Sequence, residues 1–142
     1  MHPISLTGER VTLREFHTQD IDGIMAIVGD DRVTRWLSFD SRSHSEAVSM
    51  LTGILERSRQ SDRTEYYLAV TDRDRPDDLI GFARLGLSGV RAAKLGYAIR
   101  VDQRGQGYAT DAARTLITFG FGRLRLHRIS AAIGPDNRSE ER

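Results

Sequence analysis

The period of the hydrophobic positions changes several times along the chain, and each change predicts an element. Across residues 9–16, Val11 and Leu13 alternate with Thr12 and Arg14, the two-residue period of a half-buried strand. Behind Thr18 as a hydroxyl cap, with Asp20 and Asp22 in the first turn, Ile21, Ile24, Met25 and Val28 recur at helical spacing and predict a short helix ending near Gly29. Ser43 and Glu46 have the S-x-x-E spacing of a capping box ahead of an apolar stripe of Val48, Leu51, Ile54 and Leu55, which predicts a second helix. Period two returns over residues 66–71, 79–87 and 93–101, with 72–78 and 89–91 as turns. Three strands joined by short loops predict an antiparallel meander. Ala109, Ala112, Ala113, Leu116, Ile117 and Gly120 then trace one helix face. Ile129, Ala131 and Ile133 alternate in a last strand, 128–134, which a crossover helix places parallel to the strand before it. The order βααβββαβ predicts an α/β (α+β) fold around a mixed sheet.

Composition narrows the function classes. The 142 residues suit one domain, 1–142, undivided by repeats or linkers, and the usage of 39% hydrophobic and 29% charged residues excludes a disordered chain. With 21 basic against 20 acidic residues the net charge is +1, so no nucleic-acid partner is expected. The absence of cysteine removes disulfides, thiol nucleophiles and thiolate metal sites, and fits a reducing cytoplasm. No apolar run is long enough for a signal peptide or a bilayer span, so a cytoplasmic protein with no membrane partner is expected. His44 and His127 stand at no metal-ligand spacing to another histidine, so no metal is expected either.

The chemistry concentrates in residues 103–110, Gln-Arg-Gly-Gln-Gly-Tyr-Ala-Thr, between a predicted strand and a predicted helix. The first amides of a helix lack intrahelical partners and the macrodipole is positive there, so a glycine-rich approach makes an anion site suited to a diphosphate. The alternative is a plain tight turn. The P-loop spacing G-x-x-x-x-G-K-[ST] is absent, and a dinucleotide fingerprint counted from Gly105 meets Thr110 where it needs glycine. The pattern [QR]-x-x-G-x-[GA] is matched by residues 104–109 without a mismatch.

On these residues the chain resembles the GNAT superfamily of acyl-CoA-dependent N-acyltransferases. The Glu9-Arg10-Val11-Thr12-Leu13-Arg14 segment, the loop Val33-Thr34-Arg35-Trp36-Leu37 and the Leu95-Gly96-Tyr97 strand resemble, within it, the acetyltransferases of ribosomal-protein N-termini, the RimJ and RimL type. The resemblance covers residues 4–137. It implies that the amides of Gly105, Gln106, Gly107, Tyr108, Ala109 and Thr110 hold the CoA diphosphate while Arg104 lies along the cofactor. It further implies that the backbone of residues 97–101, Ile99 and Val101 included, pairs with the pantetheine arm, that Asn137 touches the pantetheine side, and that a backbone amide near Ile99 meets the oxyanion. Trp36 and Phe39 fall where the family has its acceptor wall, although aromatic residues in such a loop also serve simply as core. Asp30 and Asp31 read as solvated carboxylates, and Tyr97 as either a core residue or the lining of a polar cleft.

Two departures from the family qualify the expected chemistry. Relatives of this branch carry glutamate two residues before the Gly-Tyr pair, where this chain has Lys94, a cation that is no general base while charged and that repels a cationic acceptor. The family also continues beyond the Asn137 segment with a helix, which carries the thiolate-protonating tyrosine, and two closing strands, so the resemblance reads as C-terminally incomplete and predicts weak transfer. Glu140 stands where the family has serine. The expected activity is acyl transfer, most simply from acetyl-CoA, to a primary amine such as a protein N-terminus or a small amine. The alternative is a non-catalytic acyl-CoA-binding or assembly module. An uncovered last strand would favour a homodimer.

Overall fold

The computed structural model describes residues 2–34 and 41–131. Six strands, β1 (Ser5–Thr7), β2 (Val11–Arg14), β3 (Glu65–Asp72), β4 (Arg75–Leu87), β5 (Ala92–Ile99) and β6 (Arg128–Ala131), lie side by side in chain order in one sheet. Every neighbouring pair is antiparallel except β5 and β6, which run parallel from Ala92 opposite Arg128 to Leu95 opposite Ala131. The helices are α1 (Ile21–Val28), α2 (Asp31–Thr34), α3 (His44–Ser58) and α4 (Tyr108–Gly122). The mixed α/β architecture and the parallel placement of the last strand are those expected from the hydrophobic pattern.

Strand alternation sorts the core onto the two faces. Leu13, Leu68, Leu85 and Leu95 pack under Leu116 and Phe119 of α4. On the other face Ala69, Phe82 and Ala98 pack with Ile24 and Ile27 of α1 and with Leu51 and Ile54 of α3. The capping box read at Ser43 forms in both directions: the Glu46 amide donates to Ser43 Oγ at 3.2 Å and the Ser43 amide donates to the Glu46 carboxylate at 2.9 Å.

Several boundaries differ from the expectation, each for a physical reason. The strand read over 9–16 is shorter, because Glu9 and Arg10 belong to a turn in which the Gly8 amide donates to the Val11 carbonyl at 2.8 Å; the partner strand β1 was missed, since only Leu6 marks its three residues. Thr18 caps nothing. Residues Thr18–Asp20 form a 3-10 turn, entered at His17, whose amide donates to Asp20 Oδ2 at 2.7 Å. The turn read over 72–78 contracts to two residues, because Asp72 still pairs with Arg75. Val101 leaves the strand and opens a 3-10 turn, Val101–Gln103, that leads into the glycine loop. Residues 132–134 of the last expected strand lie outside the described residues.

Candidate functional site

At the α4 N-terminus the backbone does what the glycine pattern requires. Gly105 and Gly107 have φ of 78° and 81°, the left-handed region that a residue with a Cβ enters at a cost. Gly107 is the N-cap, and no side chain caps the helix. The Asp111 amide is the first to bond back along the helix, donating to the Gly107 carbonyl at 3.1 Å, so the amides of residues 108–110 have no acceptor within the helix. A Cβ built on Gly105 would meet no atom within 4 Å, and one on Gly107 would come no closer than 3.7 Å to Arg10. That open concavity widens into a cleft of about 420 Å³ lined by Glu9, Arg10, Gln106, Thr110, Asp111 and Arg114 together with the glycines. Positive partial charge, two arginines and space are the requirements of a phosphate site; the two carboxylates of the lining are engaged, Asp111 by three backbone amides and Glu9 at 3.8 Å from Arg114, and the residues present fit a diphosphate.

Long-range bonds hold this terminus against the sheet. The Asp111 carboxylate, buried in the helix's first turn, accepts from the amides of Glu9 (3.2 Å), Arg10 (2.8 Å) and Val11 (3.0 Å). Arg10 Nη1 in turn donates to the Gln106 carbonyl at 3.1 Å. The Tyr108 hydroxyl donates to Asp72 Oδ2 at 2.6 Å, and Arg75 Nη2 lies 3.5 Å from both oxygens. Hydrogen bonding to Tyr108 and to the Asp74 amide holds the Asp72 carboxyl below its ordinary range; the same bond to Asp72, with burial, raises the phenol of Tyr108. Sequence reasoning missed Arg10, Asp72, Asp111 and Arg114. Only Asp111 left a signal, as an acid in the first turn of a helix.

Of the residues read for the diphosphate, Gly105, Gln106, Gly107 and Thr110 line the cleft at the α4 N-terminus, while Tyr108 is buried in the core and Ala109 packs against it. Arg104 is directed elsewhere: its Nη2 donates to the Arg32 carbonyl of α2 at 3.2 Å, across a cleft of about 630 Å³ lined by Met25, Asp30, Arg32, Arg100, Val101 and Asp102. Asp30, read as a solvated carboxylate, is half-buried and held by Arg32 at 2.8 Å. Ile99 is buried and Tyr97 half-buried, both against the α4 cluster. Because the Arg100 amide donates to the Ile80 carbonyl of β4 at 2.7 Å, alternation turns the N–H and C=O groups of Ile99 and Tyr97 to the opposite edge, where β6 lies. Among the described residues β6 accompanies that edge only as far as Leu95. Trp36, Phe39 and Asn137 lie outside the described residues. No helix among the described residues is long and apolar enough to cross a membrane.

Comparison with known proteins agrees with this geometry. An acetyltransferase (GNAT) domain family matches residues 10–142. The chain is 29% identical to the uncharacterized N-acetyltransferase p20 of Bacillus licheniformis over 134 residues, which is 94% of the chain and 75% of that protein. It is also 29% identical to the uncharacterized N-acetyltransferase YoaA of Bacillus subtilis, over all of the chain and 80% of the relative. In fold it is similar to a Bacillus anthracis acetyltransferase of the GNAT family, with a TM-score of 0.82 at 18% identity, covering 96% of this chain and 77% of the other. It also resembles in fold Mycobacterium smegmatis RimJ in complex with CoA-disulfide, with a TM-score of 0.79 at 22% identity over 96% and 70% of the two chains. With the glycine loop standing uncapped at the end of β5 and a family match over nearly its whole length, the chain belongs to the GNAT acetyltransferase family.

Proposed function

We propose that this domain binds acetyl-CoA at the α4 N-terminus and transfers the acetyl group to a primary amine, a protein N-terminus or a small amine, as the RimJ-type fold suggests. The observation that carries the reading is the uncapped helix end behind Gly105 and Gly107, adjoining a β5 edge that β6 accompanies only as far as Leu95 among the described residues. The amides of Gln106 to Thr110 hold the diphosphate, with Arg10 and Arg114 lining the same cleft. Arg104 joins the cofactor by leaving the Arg32 carbonyl. The edge formed by Tyr97 and Ile99 pairs with the pantetheine amides as a strand pairs with an extended peptide, with Val101 beyond it and Asn137 as the expected contact on the far side. The Ile99 amide, preorganised in the sheet, then faces the oxyanion that forms when the amine attacks the thioester carbonyl, a donor worth about 3–4 kcal/mol in comparable sites. Trp36 and Phe39 belong to the acceptor side of this proposal, and the general base stays unassigned.

Calorimetry with acetyl-CoA tests the binding, and thiol release with a panel of amines tests the transfer. Acetyl-CoA is expected to bind, and Gly107→Asp to abolish binding while the far-ultraviolet circular dichroism is retained, because that change places a carboxylate where the diphosphate approaches. Unchanged affinity in the folded variant refutes the site. Binding without thiol release for any amine supports the non-catalytic alternative.

A further inference from the structure

The sheet face opposite α4 is covered by α1 and α3 over Ala69, Phe82 and Ala98. Strand alternation from these three puts Glu65 of β3, Arg84 and Gly86 of β4, and Gly96 and Lys94 of β5 on the same face. Toward Lys94 that cover ends: Lys94 is exposed, and a Cβ built on Gly96 would meet no atom within 4 Å. Arg84 Nε donates to Glu65 Oε2 at 2.7 Å and Arg57 Nε of α3 donates to Glu65 Oε1 at 3.1 Å, so both oxygens of the neighbouring acid are taken. The far end of Arg84 lies over Gly86, where a Cβ would stand 2.5 Å from Nη1 and 2.8 Å from Nη2, and Gly86 is the cross-strand partner of Lys94. Among the described residues neither Nη of Arg84 nor the Lys94 ammonium has a hydrogen-bond acceptor. Like charges at cross-strand positions destabilise a sheet. A carboxylate between them removes that cost, because a guanidinium takes carboxylate oxygens through two N–H groups at once.

The proposed cofactor placement sets a length. The reacting carbonyl faces the Ile99 amide, and Lys94 stands five residues back along β5, roughly 16 Å at about 3.3 Å per residue. A free amino acid or other short amine does not span that distance. An extended polypeptide with its α-amine at the carbonyl does, and it carries its fourth to sixth residues, at about 3.3 Å each, past Gly96 to Lys94. The packed side chains of Leu95, Tyr97 and Ile99 close the α4 side. Among the described residues, the approach to that part of β5 left open is over Gly96, beside the unpaired cations.

We propose that the acceptor is the N-terminus of a polypeptide with acidic side chains at its fourth to sixth positions, and that Arg84 and Lys94 bind those carboxylates; the inference rests on the cofactor placement proposed above. The neutral α-amine forms the C–N bond as the C–S bond breaks, and the departing thiolate takes the proton that the nitrogen loses, which gives an acetylated N-terminus and free CoA thiol. Arg84 and Lys94 take no part in that step. They hold the chain behind the amine, and the same two charges repel a basic N-terminal segment.

The test follows acetyl transfer by the full chain to three peptides with a free α-amine and an amidated C-terminus, identical except for glutamate, glutamine or lysine at positions four to six. CoA affinity is measured by calorimetry in parallel. The glutamate peptide is expected to exceed the glutamine peptide by about tenfold in kcat/KM, through KM and not kcat, with the lysine peptide poorest and the preference shrinking as salt is added. Lys94→Glu, at an exposed position with no bond to lose, should erase the preference for glutamate over lysine while CoA affinity is retained, and Arg84→Gln should narrow it. If no peptide is acetylated, calorimetric binding of the three peptides to the CoA-loaded chain is read in the same way. If CoA binds and the three peptides are used or bound alike, none of them binds, or the lysine peptide is best, as the carboxylates lining the α2 cleft would favour, the inference is overturned while the cofactor site stands. An unaltered preference in Lys94→Glu overturns it too. Failure of CoA to bind removes the cofactor site and the inference together.

Discussion

Asp111→Ala tests how the candidate cofactor site is held together. The carboxylate is 5% exposed and joins α4 to the turn before β2 through three amide donors, at 3.2, 2.8 and 3.0 Å. A hydrogen bond to a charged group contributes about 1.5–3 kcal/mol net. Three such bonds at full value exceed what is expected here, because the Glu9 and Arg10 amides are only part-buried and water that enters the vacated space satisfies them. The Val11 amide is buried and stays orphaned. The expected loss is therefore about 3–5 kcal/mol, a large share of the roughly 5–15 kcal/mol that stabilises an ordinary domain. Asp111→Asn keeps an oxygen for the two shorter bonds and turns an amide group toward the Glu9 N–H, so it should cost about half as much. Urea denaturation followed by circular dichroism measures both, and CoA affinity should fall in the same order as the α4 N-terminus loses its seat. An alanine variant within about 0.5 kcal/mol of the parent would refute the idea that this carboxylate fixes the helix end.

Three further outcomes are expected. Arg104→Ala should weaken CoA binding by about tenfold or less, the share of one surface charge, and leave stability nearly unchanged, since the only described bond of its side chain is to the Arg32 carbonyl at 3.2 Å; a hundredfold loss in titration calorimetry would show that it does more. Asp72 has its folded pKa below its unfolded value, through Tyr108 first and the Asp74 amide second, so its contribution to stability is full above about pH 4 and is lost as the pH falls through the folded value. Asp72→Asn should flatten that acid limb in denaturation curves taken from neutral pH downward, and an unaltered limb would rule the linkage out. Glu15 accepts from both Arg63 nitrogens, at 2.7 and 2.8 Å, and from the Ile4 amide at 2.9 Å, with its partner arginine 1% exposed. Glu15→Gln should cost about 3–5 kcal/mol in urea titration because a buried cation loses its counter-charge, whereas Glu15→Leu with Arg63→Met should recover much of that loss.

What could be read from the sequence alone was whatever the chain decides within a few residues. Hydrophobic period distinguished strands from helices, the Ser43 and Glu46 pair closed the capping box it spelled, and the spacing of Gly105 and Gly107 announced a left-handed approach to a helix end because only local backbone sterics are involved. The parallel placement of β6 followed from its crossover helix, a rule of handedness and chain length. Tertiary structure decided the partners. Nothing near Asp111 in sequence shows that its carboxylate takes three amides about 100 residues away, or that Tyr108 donates to Asp72, 36 residues earlier. Arg104 faces α2 and not the helix end because a long side chain settles on whichever carbonyl the fold brings within reach. The short elements β1 and α2 were invisible for a related reason: three or four residues carry too little periodicity, and such elements exist because the sheet and α1 supply the hydrogen bonds and apolar cover that they cannot supply themselves.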